Sequence, residues 1–144
     1  MFYLQRFIDA QDGVYQTVLE ELRVGDKRGH WMWYIFPQIQ GLGGSATSQQ
    51  YAISSRDEAK AYSEHPILGA RLRECIQLLM AVENRTAEQI FSYPDNLKFR
   101  SSLTLFEHAA TEPSVFRAAL LKYFGGLPDR LTLDILNRQL APPP

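Results

Sequence analysis

This sequence predicts a mainly helical single domain, a multihelical bundle of about seven short helices. Three observations predict it. Apolar residues recur at three- and four-residue spacing, as in Leu68, Leu72, Cys75, Ile76 and Leu79. Capping signals precede several of these runs: Glu58 stands three after Ser55, and Gln89 three after Thr86. No two runs are joined by a hairpin turn signal. The chain of 144 residues suits one domain. The expected boundaries are 1–140 for the domain and 141–144 for a frayed, proline-rich tail.

The elements follow in order. Leu4, Phe7 and Ile8 are spaced for one or two helical turns. Asp12 is the expected cap of a second helix, with Val14, Tyr15, Val18, Leu19 and Leu22 on one face and Gly25 as its stop. Asp26–Lys27–Arg28–Gly29 is a charged turn. Thr47 to Ile53 is polar and reads as a loop. The helix after Ser55 stops before Pro66, which suits the first position of the next helix. That next helix carries the Leu68–Leu79 stripe and reads as the longest. Thr86 opens a short helix ending near Phe91. Phe99, Leu103, Phe106 and Ala110 mark the next helix, and Phe116, Leu120, Tyr123 and Phe124 another, stopped by Gly125–Gly126. Asp129 caps a last helix with Leu133, Leu136 and Leu140.

One stretch stands apart: His30–Trp31–Met32–Trp33–Tyr34–Ile35–Phe36–Pro37–Gln38–Ile39–Gln40–Gly41–Leu42–Gly43–Gly44–Ser45. It holds both tryptophans and runs from aromatics into glycines. As a strand it would put Trp31, Trp33 and Ile35 on one face. As a helix it would put His30, Trp33 and Tyr34 on one face. β-Propensity favours the strand and the helical surroundings favour the helix. Pro37 ends either one. Core packing accounts for such a run in a small domain. A second reading, compatible with the first, makes it the wall of a small-molecule pocket, with His30, Trp33, Gln38, Gln40, Gly43, Gly44 and Ser45 lining it.

Composition narrows the partners. The formal net charge is −1, so no overall field favours nucleic acid or an anionic membrane. No run approaches a membrane span, and the N-terminus lacks a secretory pattern. With one cysteine, Cys75, there is no internal disulfide. A cytoplasmic location is expected. His30, His65 and His108 have no metal-ligand spacing, so neither metal nor cofactor is expected. Gly41–Ser45 lacks the lysine of a phosphate loop, and no serine sits in a hydrolase elbow.

A second polar group opens the helix after Pro94. Asp95, Lys98 and Ser102 share one helical face, and Arg100, Thr104 and His108 another; Ser101 lies between. Such residues near a helix start suit an anion, while a solvated face with an Asp95–Lys98 pair is the simpler account of them. Arg71 and Glu74 read as a surface pair.

The motifs His30–Gln38, Gly41–Leu42–Gly43, Tyr51–Ala52–Ile53, His65–Pro66–Ile67–Leu68–Gly69, Pro94–Asp95 with Lys98, and Ser101–Phe106 together resemble the family catalogued as domain of unknown function 1810. The likeness spans nearly the whole chain in order. It implies a mainly helical fold and brings no established activity. Members are often labelled calpastatin, yet this chain is compact and evenly capped in pattern, unlike a disordered protease inhibitor. Ser92–Tyr93 stands where the family more usually has a glycine.

Two functions are expected. In the first, the protein binds or hydrolyses a nucleotide-like or phosphorylated small molecule. His30 and Asp95 would be acid or base. Trp33 would stack a ring, and Gln38, Gln40, Gly43, Gly44, Ser45, Lys98, Ser101 and Ser102 would hold it. In the alternative the protein is a non-catalytic interaction module using exposed aromatic rings. A flat exposed patch at Trp31 and Trp33 favours the second; a concavity containing Lys98 and His30 favours the first.

Overall fold

A computed structural model describes residues 1–140; the expected tail, 141–144, lies outside the described residues. These residues form ten helices, seven of them of eight residues or more: α1 (Gln5–Asp12), α2 (Tyr15–Val24), α3 (Met32–Ile35), α4 (Ala46–Gln50), α5 (Arg56–Glu64), α6 (Leu68–Ala81), α7 (Ala87–Phe91), α8 (Asp95–Ala109), α9 (Ser114–Phe124) and α10 (Arg130–Leu140). The mainly helical class is therefore as the periodicity predicts; the three shortest helices, α3, α4 and α7, have four or five residues, and α7 is the short helix expected after Thr86. No helix among the described residues is long and apolar enough to cross a membrane.

α8 is the axis of the bundle. It packs against α3, α5, α7, α9 and α10, while α6 closes the opposite side on α2, α5 and α9. Its buried residues run around most of its circumference, including Phe99, Leu103, Leu105 and Phe106. A helix that is apolar nearly all round belongs inside a domain. At 15 residues it is longer than α6, at 14, which the even stripe of α6 had suggested was the longest.

Local signals explain most boundaries. Thr86 Oγ1 accepts the Gln89 N–H and Gln89 Oε1 accepts the Thr86 N–H, so both halves of the capping box form at α7. Ser55 Oγ accepts the Glu58 N–H at α5, but Glu58 turns its carboxylate to the Ser54 N–H and to Arg6 instead. Gly25 and Gly125 close α2 and α9 in the left-handed conformation, which glycine adopts without a Cβ clash. Asp129 Oδ2 accepts the Thr132 N–H and so caps α10.

Several expectations need correction. Asp12 ends α1 rather than capping α2, and its carboxylate pairs with Arg71 at 3.0 Å. Arg71 is therefore not the partner of Glu74, which accepts the Tyr15 hydroxyl at 2.5 Å. Pro66 sits in the turn before α6, where His65 Nδ1 accepts the N–H groups of Ile67 and Leu68. The segment read as a loop contains α4, capped by Ser45 and burying no side chain. Without an apolar stripe it left no periodic trace. On α10 the buried residues are Thr132 and Leu136, and Leu140 is exposed.

A buried polar knot joins α1, α3, α5 and α6. Gln11, 1% exposed, donates to the Tyr34 carbonyl at 2.7 Å and to the Tyr62 hydroxyl at 3.1 Å, while its own carbonyl oxygen accepts from Arg71. Satisfied in this way, a buried amide specifies the packing rather than costing stability.

Two backbone positions yield predictions. A Cβ on Gly69 would lie 2.1 Å from the Ser63 carbonyl oxygen, where α5 and α6 approach. Neither backbone can yield, so Gly69→Ala is expected to lose at least about 3 kcal/mol in chemical denaturation. Ser92 closes α7 at φ 65° and ψ 157°, a conformation favouring glycine. Ser92→Gly is expected to gain about 1 kcal/mol, after glycine's own entropic cost. An unchanged or lower denaturation midpoint would show that the position carries no strain.

Candidate functional site

The aromatic run forms one helical turn, α3, and buries Trp31, Met32, Ile35 and Phe36, while Trp33 and Tyr34 are half-buried. That is helical spacing, and it resolves the choice between strand and helix. Beyond Pro37 the chain extends, and Ile39 forms an isolated parallel bridge with Ile53. The Gln40 N–H donates to the Ile53 carbonyl at 2.7 Å and the Ile53 N–H to the Gln38 carbonyl at 2.9 Å. These bonds close the glycine-rich segment into a loop with α4 on its far arm.

Aromatic packing sets the run against α8. The Phe36 ring meets Phe99 at 4.9 Å, and Phe99 stacks on Phe91 at 4.7 Å. Lys98 precedes Phe99 and thereby comes beside α3, its ammonium 5.5 Å from the Trp33 ring centroid. A cation over an indole face is attracted by the ring quadrupole.

Asp95 lies between two ammonium groups, 2.8 Å from Lys27 Nζ and 3.4 Å from Lys98 Nζ. The Lys27 side chain is only 6% exposed. Its amine also donates to the Gly29 carbonyl at 2.6 Å and sits 5.0 Å from the Trp31 ring. Glu21 holds the same turn, accepting the Arg28 and Gly29 N–H groups and Trp31 Nε1–H at 2.8–3.0 Å. Burial acts to raise the Glu21 carboxyl pKa, but those hydrogen bonds, with Lys27 nearby, hold it below its ordinary value.

Two adjoining concavities open beside this cluster. The wider, about 240 Å³, is lined by Gln38, Gly43, Ser48, Lys98, Ser101 and Asp129, with Leu42, Pro94, Leu97 and Leu131 as apolar walls. The narrower, about 20 Å³, lies against Trp33, Gln40, Gly41 and Tyr51. Gln38, Gly43 and Ser48 belong to both and form the partition between them. At Gly43 a Cβ would lie 2.7 Å from Ser48 Cβ and Oγ, so only glycine lets the loop close there without a shift.

Of the residues named from sequence, Gln38, Gly43, Lys98 and Ser101 meet in the wider cleft, and Trp33 and Gln40 join Gln38 and Gly43 at the narrower one. Asp95 stands next to Lys98 without lining either. Gly44 is exposed, and Ser45 is spent as the cap of α4. Ser102 is 1% exposed, with its hydroxyl unpartnered among the described residues. His30 is exposed and lines neither cleft; its chain neighbour Gly29 is tied through Lys27 to Asp95. Arg100 and Thr104 serve the scaffold, since Arg100 donates to the Leu127 and Pro128 carbonyls and Thr104 Oγ1 accepts the Asp129 N–H.

Sequence reasoning missed Glu21, Lys27, Ser48, Asp129 and Leu131. Lys27 lay in what read only as a charged turn, and Asp129 looked like a cap only. Nothing periodic marks residues that meet only across the fold. Cys75 is buried, and that burial is the main cause pushing its thiol up to about 12, which disfavours the thiolate. Among the described residues no three His, Cys, Asp or Glu side chains gather as metal ligands would.

Fold and cleft define a small, single-domain, all-helical protein with a polar, lysine-bearing cleft between α8, the glycine-rich loop and the start of α10. The chain belongs to the family described as protein of unknown function DUF1810, whose profile matches residues 1–136. Among solved structures it is similar to the conserved hypothetical protein Rv1873 from Mycobacterium tuberculosis, with 51% identity and a TM-score of 0.93, over 94% of this chain and 97% of that one. No curated protein matches.

The Glu21 clasp predicts a pH dependence. A carboxyl held below its unfolded value contributes stability above that value, here 4.5, and the contribution is lost as pH falls through the folded value. Glu21→Gln is therefore expected to be less stable than the native chain at pH 7 and to differ less at pH 3. Thermal melts followed by tryptophan fluorescence measure both. A deficit that stays constant across that range would remove the carboxylate from the explanation.

Proposed function

We propose that the protein binds a nucleotide-like or phosphorylated small molecule in the wider cleft. The observation that supports this best is the meeting of Lys98, Gln38, Gly43 and Ser101 around about 240 Å³, with the Trp33 ring beside the lysine. A few placed polar groups on apolar walls are what small-ligand sites offer. Lys98 would meet the anionic group, Gln38 and Ser101 would supply polar contacts, and the apolar walls would take the ring or sugar. Ser101 donates to the Leu97 carbonyl at 3.1 Å and keeps its lone pairs for a donor on the ligand.

The proposal is restricted to binding. Asp95 is engaged by two ammonium groups, and His30 lies outside both clefts, so no proton-transfer step is built on them. A partner surface made of the two tryptophans has less support, because Trp31 is 2% exposed and gives its N–H to Glu21.

The test is a thermal-shift panel of nucleotides and dinucleotides at millimolar concentration, since ligand binding to the native state raises the melting temperature. Lys98→Ala is expected to weaken the binding that is found by about tenfold or more, the loss of one charge-assisted hydrogen bond. Its own stability should fall by less than about 1 kcal/mol, because Asp95 keeps Lys27. A panel that moves nothing removes the proposal.

A further inference from the structure

The charges around the cleft are balanced, and the balance selects among phosphorylated ligands. Among the described residues, Lys98 is the one cation lining the cleft and Asp129 the one carboxylate. Behind them Lys27 and Asp95 form a closer pair than Asp95 and Lys98, 2.8 Å against 3.4 Å. Two lysines thus face two aspartates. If Lys98 swings onto a ligand, Lys27 still neutralises Asp95, so a single positive charge is released to the cleft. A second or third negative charge on the ligand would find no further cation among the described lining residues and would face Asp129.

Asp129 adds a demand of its own. Its Oδ2 is taken by the Thr132 N–H at 3.0 Å and the Thr132 hydroxyl at 2.6 Å, and its Oδ1 makes no hydrogen bond among the described residues. A carboxylate that lines a cleft with lone pairs left over calls for a donor on the ligand. The cleft, about 240 Å³, is also smaller than the roughly 300–1,000 Å³ usual for ligand pockets.

Resting on the binding reading above, we infer that the cleft selects a singly charged phosphate, a phosphodiester, on a compact molecule that carries a hydrogen-bond donor such as the amino group of a base. Lys98 holds the diester and Asp129 takes the donor. A phosphomonoester, which carries a charge of about −1.5 to −2 at pH 7, is held less well. A triphosphate is held least.

The experiment is calorimetric titration of the native chain with adenosine 3′,5′-cyclic monophosphate, adenosine 5′-monophosphate and adenosine 5′-triphosphate in one buffer. The expected order of affinity is diester, monoester, triphosphate, with about three- to tenfold lost per excess charge at moderate salt. Asp129→Asn keeps an oxygen for the Thr132 cap. It is expected to shift the ratio toward the triphosphate by about the same factor, with the circular dichroism spectrum unchanged. A triphosphate that binds the native chain as tightly as the diester overturns the inference while leaving the binding reading in place, and so does an unaltered ratio in a folded Asp129→Asn. The native series decides even if the variant fails to fold. If none of the three binds while other nucleotides of the panel do, the inference alone fails. If no nucleotide binds at all, both readings fall together.

Discussion

The packing of Phe36 on Phe99 is the contact on which the rest of the site depends. Each ring is fully buried, and around Phe99 also lie Phe91, Tyr123 and Phe124, drawn from α7 and α9. Buried aromatic rings carry large areas and prefer tilted or offset contacts, so this cluster both stabilises the bundle and orients its members. Phe36 brings with it the aromatic turn that contains Trp33. Phe99 brings the first turns of α8, and so Lys98 and Asp95. The cation beside Trp33 is thus a consequence of core packing.

The polar groups around this core are arranged in tiers of exposure. Deepest is the Gln11 amide with the Tyr62 hydroxyl, closed on all sides by protein partners. Next come Glu21 and Lys27, clasping the turn between α2 and α3 and reaching the Trp31 ring and Asp95. Outermost is Lys98, with a partner on one side and the cleft on the other. Only the last tier has a group that can exchange a protein partner for a ligand without leaving a buried charge unpaired, which is the costly outcome.

The glycine-rich segment shows how scaffold and site share residues. Ser45 looks like a ligand group by composition, yet its hydroxyl is spent on the Ser48 N–H and Oγ. Gly43 matters for what it lacks, because a side chain there would strike Ser48. The Ile39–Ile53 bridge holds the two arms together, so the loop stands as a wall between the two concavities.

By itself the sequence determined the helical class, the long helices, the stops at Gly25 and Gly125, the caps at Thr86 and Asp129, and the prominence of residues 30–45. All of these follow from local physics: periodic apolar faces, backbone groups that need nearby partners, and positive φ at glycine. The resemblance of its motifs to one family was legible too, and the profile over residues 1–136 agrees. The tertiary structure alone decided which polar residues meet. Gln38 and Lys98 are distant in sequence and share a cleft, whereas Ser102 and Ser101 are neighbours and only Ser101 lines it. One residue along a helix turns a side chain by about 100°, enough to move it from the cleft wall to the interior. Lys27 and Asp95 pair from two separate segments and Asp129 reaches the cleft from a third, so their placement is set by how the helices beside those segments cross the rest of the bundle. No local pattern records such crossings, because they are fixed by long-range burial of side chains such as Phe36 and Phe99.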